Sequence, residues 1–99
     1  MSYSQFITED RRLATLRLLA EADGYALNTS ILRDLLESAC GYRVSRDRVD
    51  SDADWLAEQS LVTAETIGPV RVVTITARGE DVARGRVTVS GVKRPGPGR

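Results

Sequence analysis

Between Thr8 and Ala22 apolar residues fall at positions 13, 16, 19 and 20, the spacing that gathers side chains on one face of a helix. Thr8 can cap this first helix, with Glu9 and Asp10 in its first turn, although Ser4 is a rival start that brings Phe6 and Ile7 into it. Asp23-Gly24 closes it. Asn28 then caps a second helix, with Leu27 just before it and Leu32 four positions after, and Leu32, Leu35, Leu36 and Ala39 form the buried stripe. Gly41 ends that helix, and Ser45 repeats the device with Val44 before it and Val49 four after. The third helix is expected from Arg46 to Gln59, with Val49, Ala53 and Leu56 inward and Ser60 a further candidate for that face.

After residue 60 the apolar period shortens from 3.6 to about 2. Residues 61–67 and 70–75 are rich in β-branched side chains and flank Gly68-Pro69, which predicts a hairpin that must lie against the helices. Thr76 caps a last short helix, Ala77 to Arg84, in which Gly79 is an unfavourable member. The expected division is a folded domain over 1–85 and a basic, Gly- and Pro-rich flexible tail over 86–99.

At 99 residues the chain is long enough for one small domain. It contains no His and a single Cys, Cys40, which removes Cys/His zinc sites and His-based catalytic triads. There is no Gly-rich phosphate loop and no thiol with a base beside it, so neither enzyme chemistry nor a cofactor is expected. Asp50, Asp52 and Asp54 alternate as in a calcium loop, but the Gly and terminal Glu of such a loop are missing, so no metal is expected either. No apolar run approaches the ~18 residues that cross a bilayer, and the N-terminal residues lack a basic-then-apolar leader, which points to the cytoplasm.

Three helices, a two-stranded ribbon and a final helix is the order of an α+β winged helix-turn-helix domain, the ribbon being the wing. The stretch Asp54-Trp55-Leu56-Ala57-Glu58-Gln59-Ser60-Leu61-Val62 resembles the seam by which many bacterial winged-helix regulators leave the recognition helix, with Ser60 where the pattern usually has Gly. Thr74-Ile75-Thr76-Ala77-Arg78-Gly79 looks like their passage from second wing strand to last helix. Over nearly its whole length the chain is similar to a family of small ArsR-like proteins of Mu-like bacteriophages and prophages. The residues that carry the likeness include Arg11-Arg12-Leu13, residues 16–22, Gly24-Tyr25, Leu27-Asn28, Leu32-Arg33, residues 44–47, residues 55–59 and residues 91–95. That resemblance implies a winged-helix protein of phage type in a bacterial host. Metal sensing of the ArsR kind does not carry over, because one thiol cannot supply the coordination, and Cys40 reads as a small packed residue.

Docked on double-stranded DNA as such domains dock, the protein would place Arg46 and Arg48 in the major groove. Ser45, Ser51, Thr29 and Ser30 would add phosphate contacts from helix starts, with Arg43 and Arg71 flanking. Tyr3 and Phe6 could join two copies into a homodimer, the form expected of a transcriptional regulator. Charge argues the other way. The third helix carries five acids (Asp47, Asp50, Asp52, Asp54 and Glu58) against two arginines, and its outward face gathers Asp47, Ser51, Asp54 and Glu58. The alternative is therefore a protein–protein adaptor in phage assembly or DNA packaging, which the family's usual gene neighbourhood also implies. It would set Asp47, Asp54, Glu58 and Trp55 against a basic partner, unless Trp55 packs in the core. Residues 84–99 hold five basic side chains and no acid, a segment able to follow DNA, to dock on a second copy or to stay solvated.

Overall fold

Ser2 caps the first helix, its side-chain oxygen accepting from the Gln5 amide at 3.1 Å, so α1 (Tyr3–Glu21) begins ahead of both expected starts. The computed structural model describes residues 2–96, and residues 97–99 of the expected tail lie outside the described residues. Leu13, Leu16, Leu19 and Ala20 are buried as their spacing requires, but Arg11 and Thr15 lie on the same buried face. The helix ends at Glu21, before Asp23-Gly24, which instead form a single 3₁₀ turn with Tyr25. This turn leads into a strand that the pattern did not predict, β1 (Ala26–Asn28), three residues being too few to show a period.

Asn28 ends β1 and at once caps α2 (Thr29–Cys40), its side chain accepting from the Ile31 amide at 2.8 Å. Leu32 and Leu36 are buried, Leu35 is half-buried, and Ala39, expected on the same stripe, is exposed. Ser45 caps α3 (Arg46–Glu58), where Val49, Ala53 and Leu56 are buried as expected. Ser60 is exposed, against the expectation that it extends this face. It takes the left-handed conformation with φ 62°, the geometry for which the resembling seam uses Gly, at a cost of about 1 kcal/mol to a residue with a side chain.

Strands β2 (Val62–Ile67) and β3 (Val70–Ile75) form the expected antiparallel hairpin, with Val62 opposite Ile75 and Ile67 opposite Val70. β1 adds antiparallel to the other edge of β3, Leu27 facing Val73, so the sheet order is β1-β3-β2. The protein is thus an α+β fold of four helices and a three-stranded antiparallel sheet. Thr76 caps α4 (Ala77–Ala83) by accepting from the Gly79 amide at 3.0 Å. Gly79 is required here: a Cβ on it would stand 2.0 Å from the Leu61 carbonyl oxygen.

The main core gathers Leu13, Leu16 and Leu19 of α1, Leu56 of α3, Leu61, Val73 and Val82. Val89 and Val92, expected in a flexible tail, are buried in the same core. The Lys93 amide donates to the Glu9 carbonyl at 3.2 Å, and its ammonium pairs with Asp10 at 3.1 Å. Composition misled here because three valines, at 87, 89 and 92, supply enough apolar surface to hold a segment that Gly, Pro and charge otherwise dominate.

One ion pair lies wholly inside this packing. Arg11 of α1 grips Asp52 of α3 through Nε at 2.5 Å and Nη2 at 3.1 Å, with side chains only 6% and 5% exposed. Arg11→Met leaves a buried carboxylate unpaired, and urea denaturation is expected to show a loss of about 3–5 kcal/mol, most of which Arg11→Met/Asp52→Leu recovers. Gly79→Ala reverses the usual sign of such a change. Helix propensity alone favours it by about 1 kcal/mol, but the clash with Leu61 makes it destabilising by about 2 kcal/mol, checked by the same denaturation.

Candidate nucleic-acid interface

The starts of α2 and α3 and the turn of the β2–β3 hairpin meet around an open groove of 310 Å³. Asn28 is the cap of α2, Thr29 and Ser30 come from its first turn, Arg46 and Asp50 from α3, and Pro69, Val70 and Arg71 from the hairpin. Four of the expected DNA contacts, Thr29, Ser30, Arg46 and Arg71, are thereby brought together although they span 43 positions of sequence. The first amides of α2 have no partners within their own helix, which gives this edge a partial positive charge.

Ser45, Arg48 and Ser51 are exposed on α3 or at its cap, outside the groove. The Ser45 side chain accepts from the Arg48 amide at 3.1 Å, so its oxygen already serves the helix. Arg43 is exposed and pairs with Glu37 at 3.1 Å. Among the described residues Arg46 and Arg48 have no ion-pair partner.

Arg71 does not extend outward from the hairpin. Its guanidinium turns onto α3, where Nη1 lies 3.3 Å from an Asp50 carboxylate oxygen and Nη2 bonds Asp54. The hydrogen bond that Arg71 donates to Asp54 raises the Arg71 pKa above its ordinary value, with Asp50 adding to it and partial burial opposing. Asp52, counted with the acids of α3 in the sequence, is buried against Arg11. Of the five acids only Asp47 and Glu58 remain exposed without an ion-pair partner among the described residues. Three of the five acids of α3 are thus paired with arginines from two other elements, one 41 positions upstream of its partner and the other up to 21 downstream, but on the outward face read from the helical wheel only Asp54 is paired.

Trp55 is half-buried beside the main core. The Arg12 guanidinium lies 3.8 Å from its ring centroid, and Arg12 Nη1 donates to the Gly91 carbonyl at 2.9 Å. A Cβ on Gly91 would fall 2.5 Å from Cζ2 of Trp55, so the backbone of the C-terminal segment lies directly against the indole. Of the residues of the alternative partner surface, Trp55 is half-buried under Arg12 and Gly91, Asp54 is exposed and paired with Arg71, and Asp47 and Glu58 are exposed.

Cys40 sits half-buried at the end of α2, and burial pushes its thiol pKa up, which disfavours the reactive thiolate. Tyr42 bonds Asp10 and is pushed up to about 12 by burial and by that bond. Among the described residues no three His, Cys, Asp or Glu side chains come together as a metal-holding group. No helix among them is long and apolar enough to cross a membrane. Sequence reasoning missed the Arg11–Asp52 and Arg71–α3 pairings, because no local pattern links residues so far apart.

Among known proteins, the chain is 54% identical over 94 residues to gp26 of Escherichia phage Mu, a match covering 95% of this chain and 96% of that protein. It is 44% identical over 79 residues to a protein of Haemophilus influenzae, covering 79% and 76% of the two chains. Two solved complexes, hsRosR-S4 and hsRosR-S1, share the fold with TM-scores of 0.63 and 0.62 at 20% and 21% identity. Each match covers 85% of this chain, which spans about two thirds of the hsRosR chains, 65% and 67%. No family model matches the chain.

Proposed function

The chain belongs to the family of gp26 of Escherichia phage Mu, and from that premise and the geometry of the groove we propose that it is a winged-helix DNA-binding protein. In this reading it is a transcriptional regulator that acts as a homodimer, with α3 as the recognition helix and the β2–β3 hairpin as the wing. The observation that carries it is the pairing on α3. With Asp52 held by Arg11 and with Asp50 and Asp54 held by Arg71, the helix offers Arg46 and Arg48 to a polyanion against two acids, Asp47 and Glu58, that have no ion-pair partner among the described residues. The amides and hydroxyls of Thr29 and Ser30 beside Arg46 suit a backbone phosphate. Ser45, Ser51 and Arg43 flank the same helix as secondary phosphate contacts. Tyr3 and Phe6, 81% and 43% exposed at the start of α1, are the surface this reading gives to the second copy.

Fluorescence anisotropy of the full chain on a mixed-sequence duplex of about 30 base pairs, at about 50 and 200 mM salt, tests the reading. The expected result is binding that weakens with salt, two chains per duplex, and a loss of at least about tenfold in Arg46→Ala/Arg48→Ala. Absence of binding at the lower salt would sink it. The full chain is essential, because removing residues beyond Arg84 takes Val89 and Val92 out of the core.

Arg71 acts in this reading as a mask on the carboxylates of α3, rather than as the wing's own phosphate contact. Arg71→Met is then expected to weaken DNA binding by exposing Asp50 and Asp54. A double-mutant cycle separates the two roles: the affinity gained through Asp50→Asn/Asp54→Asn is larger without Arg71 than with it if Arg71 masks. Equal gains in both backgrounds would mean that Arg71 meets phosphate directly.

A further inference from the structure

Arg33 of α2 is an exposed cation with a specific tether. Its Nε donates at 2.9 Å to the carbonyl of Val44, the residue that precedes the Ser45 cap of α3. Thr29 and Ser30 lie four and three positions before it, so the three share one edge of α2. That edge faces the start of α3, where Arg46 joins Thr29 and Ser30 at the groove. Among the described residues no carboxylate lies within ion-pair distance of Arg33. Of the two acids next along the helix, Asp34 is exposed and Glu37 is engaged by Arg43.

A guanidinium has five N–H donors in one plane, and the bond to Val44 uses only the Nε–H. The four N–H groups on the outer nitrogens remain, held by that bond close to the first turn of α3. Two non-bridging phosphate oxygens match such a fork, whereas a lysine in the same place would bring charge without the second, fixed bond.

We propose that Arg33 is a further DNA-contacting residue, whose Nε holds the start of α3 while its outer nitrogens donate to a backbone phosphate beside the one that Thr29 and Ser30 meet. The proposal deepens the DNA-binding reading above and rests on it. Its consequence is that the phosphate-binding edge is formed by α2 and the α2–α3 turn together, and so does not depend on a cation from the hairpin.

The test is a salt series of anisotropy titrations on the same duplex, using full-length wild type, Arg33→Gln, Arg33→Lys and the control Arg78→Gln. Arg78 is a comparable exposed tether, its Nε donating at 3.1 Å to the Gln59 carbonyl where α3 ends. Arg33→Gln is expected to bind about three- to tenfold more weakly at the lower salt and to lower the slope of log K against log salt by about one, with thermal stability no worse than that of Arg78→Gln. Arg33→Lys is expected to keep the slope and still bind more weakly than wild type. If Arg33→Gln matches Arg78→Gln in both affinity and slope while Arg46→Ala/Arg48→Ala still loses binding, Arg33 is a tether only and the proposal fails alone. If wild type itself does not bind, the DNA reading falls and the proposal with it.

Discussion

The buried pair between Arg11 and Asp52 sets the relation between α1 and α3, and the rest of the domain is arranged around that relation. Two ions taken out of water cost several kcal/mol each, and only a well-formed two-point contact returns that energy. The geometry of Arg11 on Asp52 meets this condition, with Nε and Nη2 on separate carboxylate oxygens. An apolar pair could slide along the helix surfaces, whereas a forked ionic contact tolerates little displacement. The pair therefore fixes which face of α3 turns inward, and with it which residues turn out.

That constraint reaches the C-terminal segment through the next residue. Arg12 stacks on the ring of Trp55, which lies on the same helix as Asp52, and holds the Gly91 carbonyl. Adjacent arginines on α1 thus tie α3 by charge and by cation–π contact, and the second also fastens Gly91 of the C-terminal segment against the indole. Lys93 closes the arrangement by pairing with Asp10 and approaching the Phe6 ring at 5.0 Å. The early start of α1 follows from this packing: its first turns have partners, which an isolated amphipathic stripe beginning at Thr8 would not reveal.

What the sequence made legible was local. Caps at Asn28, Ser45 and Thr76, apolar spacing within α3, and the change of period after residue 60 each depend on residues a few positions apart, and each element formed where those signals lie. The misses share one physical cause. β1 is a strand only because β3 lies beside it, Gly79 is favourable only because Leu61 lies against it, and residues 86–96 are ordered only because α1 and Trp55 receive them. The candidate site divided in the same way. Thr29, Ser30, Arg46 and Arg71 were selected one by one from residue type and helix position, and the fold gathers them at one groove. The direction of Arg71 and the burial of Asp52 depend on neighbours that no short window contains.

Charge on α3 shows why this matters for function. Counted along the helix, five acids against two arginines describe a surface that should repel a phosphate backbone. Counted after folding, one acid is in the interior and two are held by a cation from β3, and each of these three pairings serves a structural end as well. Arg11 joins helices through Asp52, and Arg71 joins the hairpin to α3 through Asp50 and Asp54. The same carboxylates that make α3 look unfit for DNA are the anchors by which the domain is assembled around it. Their net charge as a group says little about what the helix presents: among the described residues Arg46 and Arg48 are left without ion-pair partners, and so are only two of the five acids, Asp47 and Glu58.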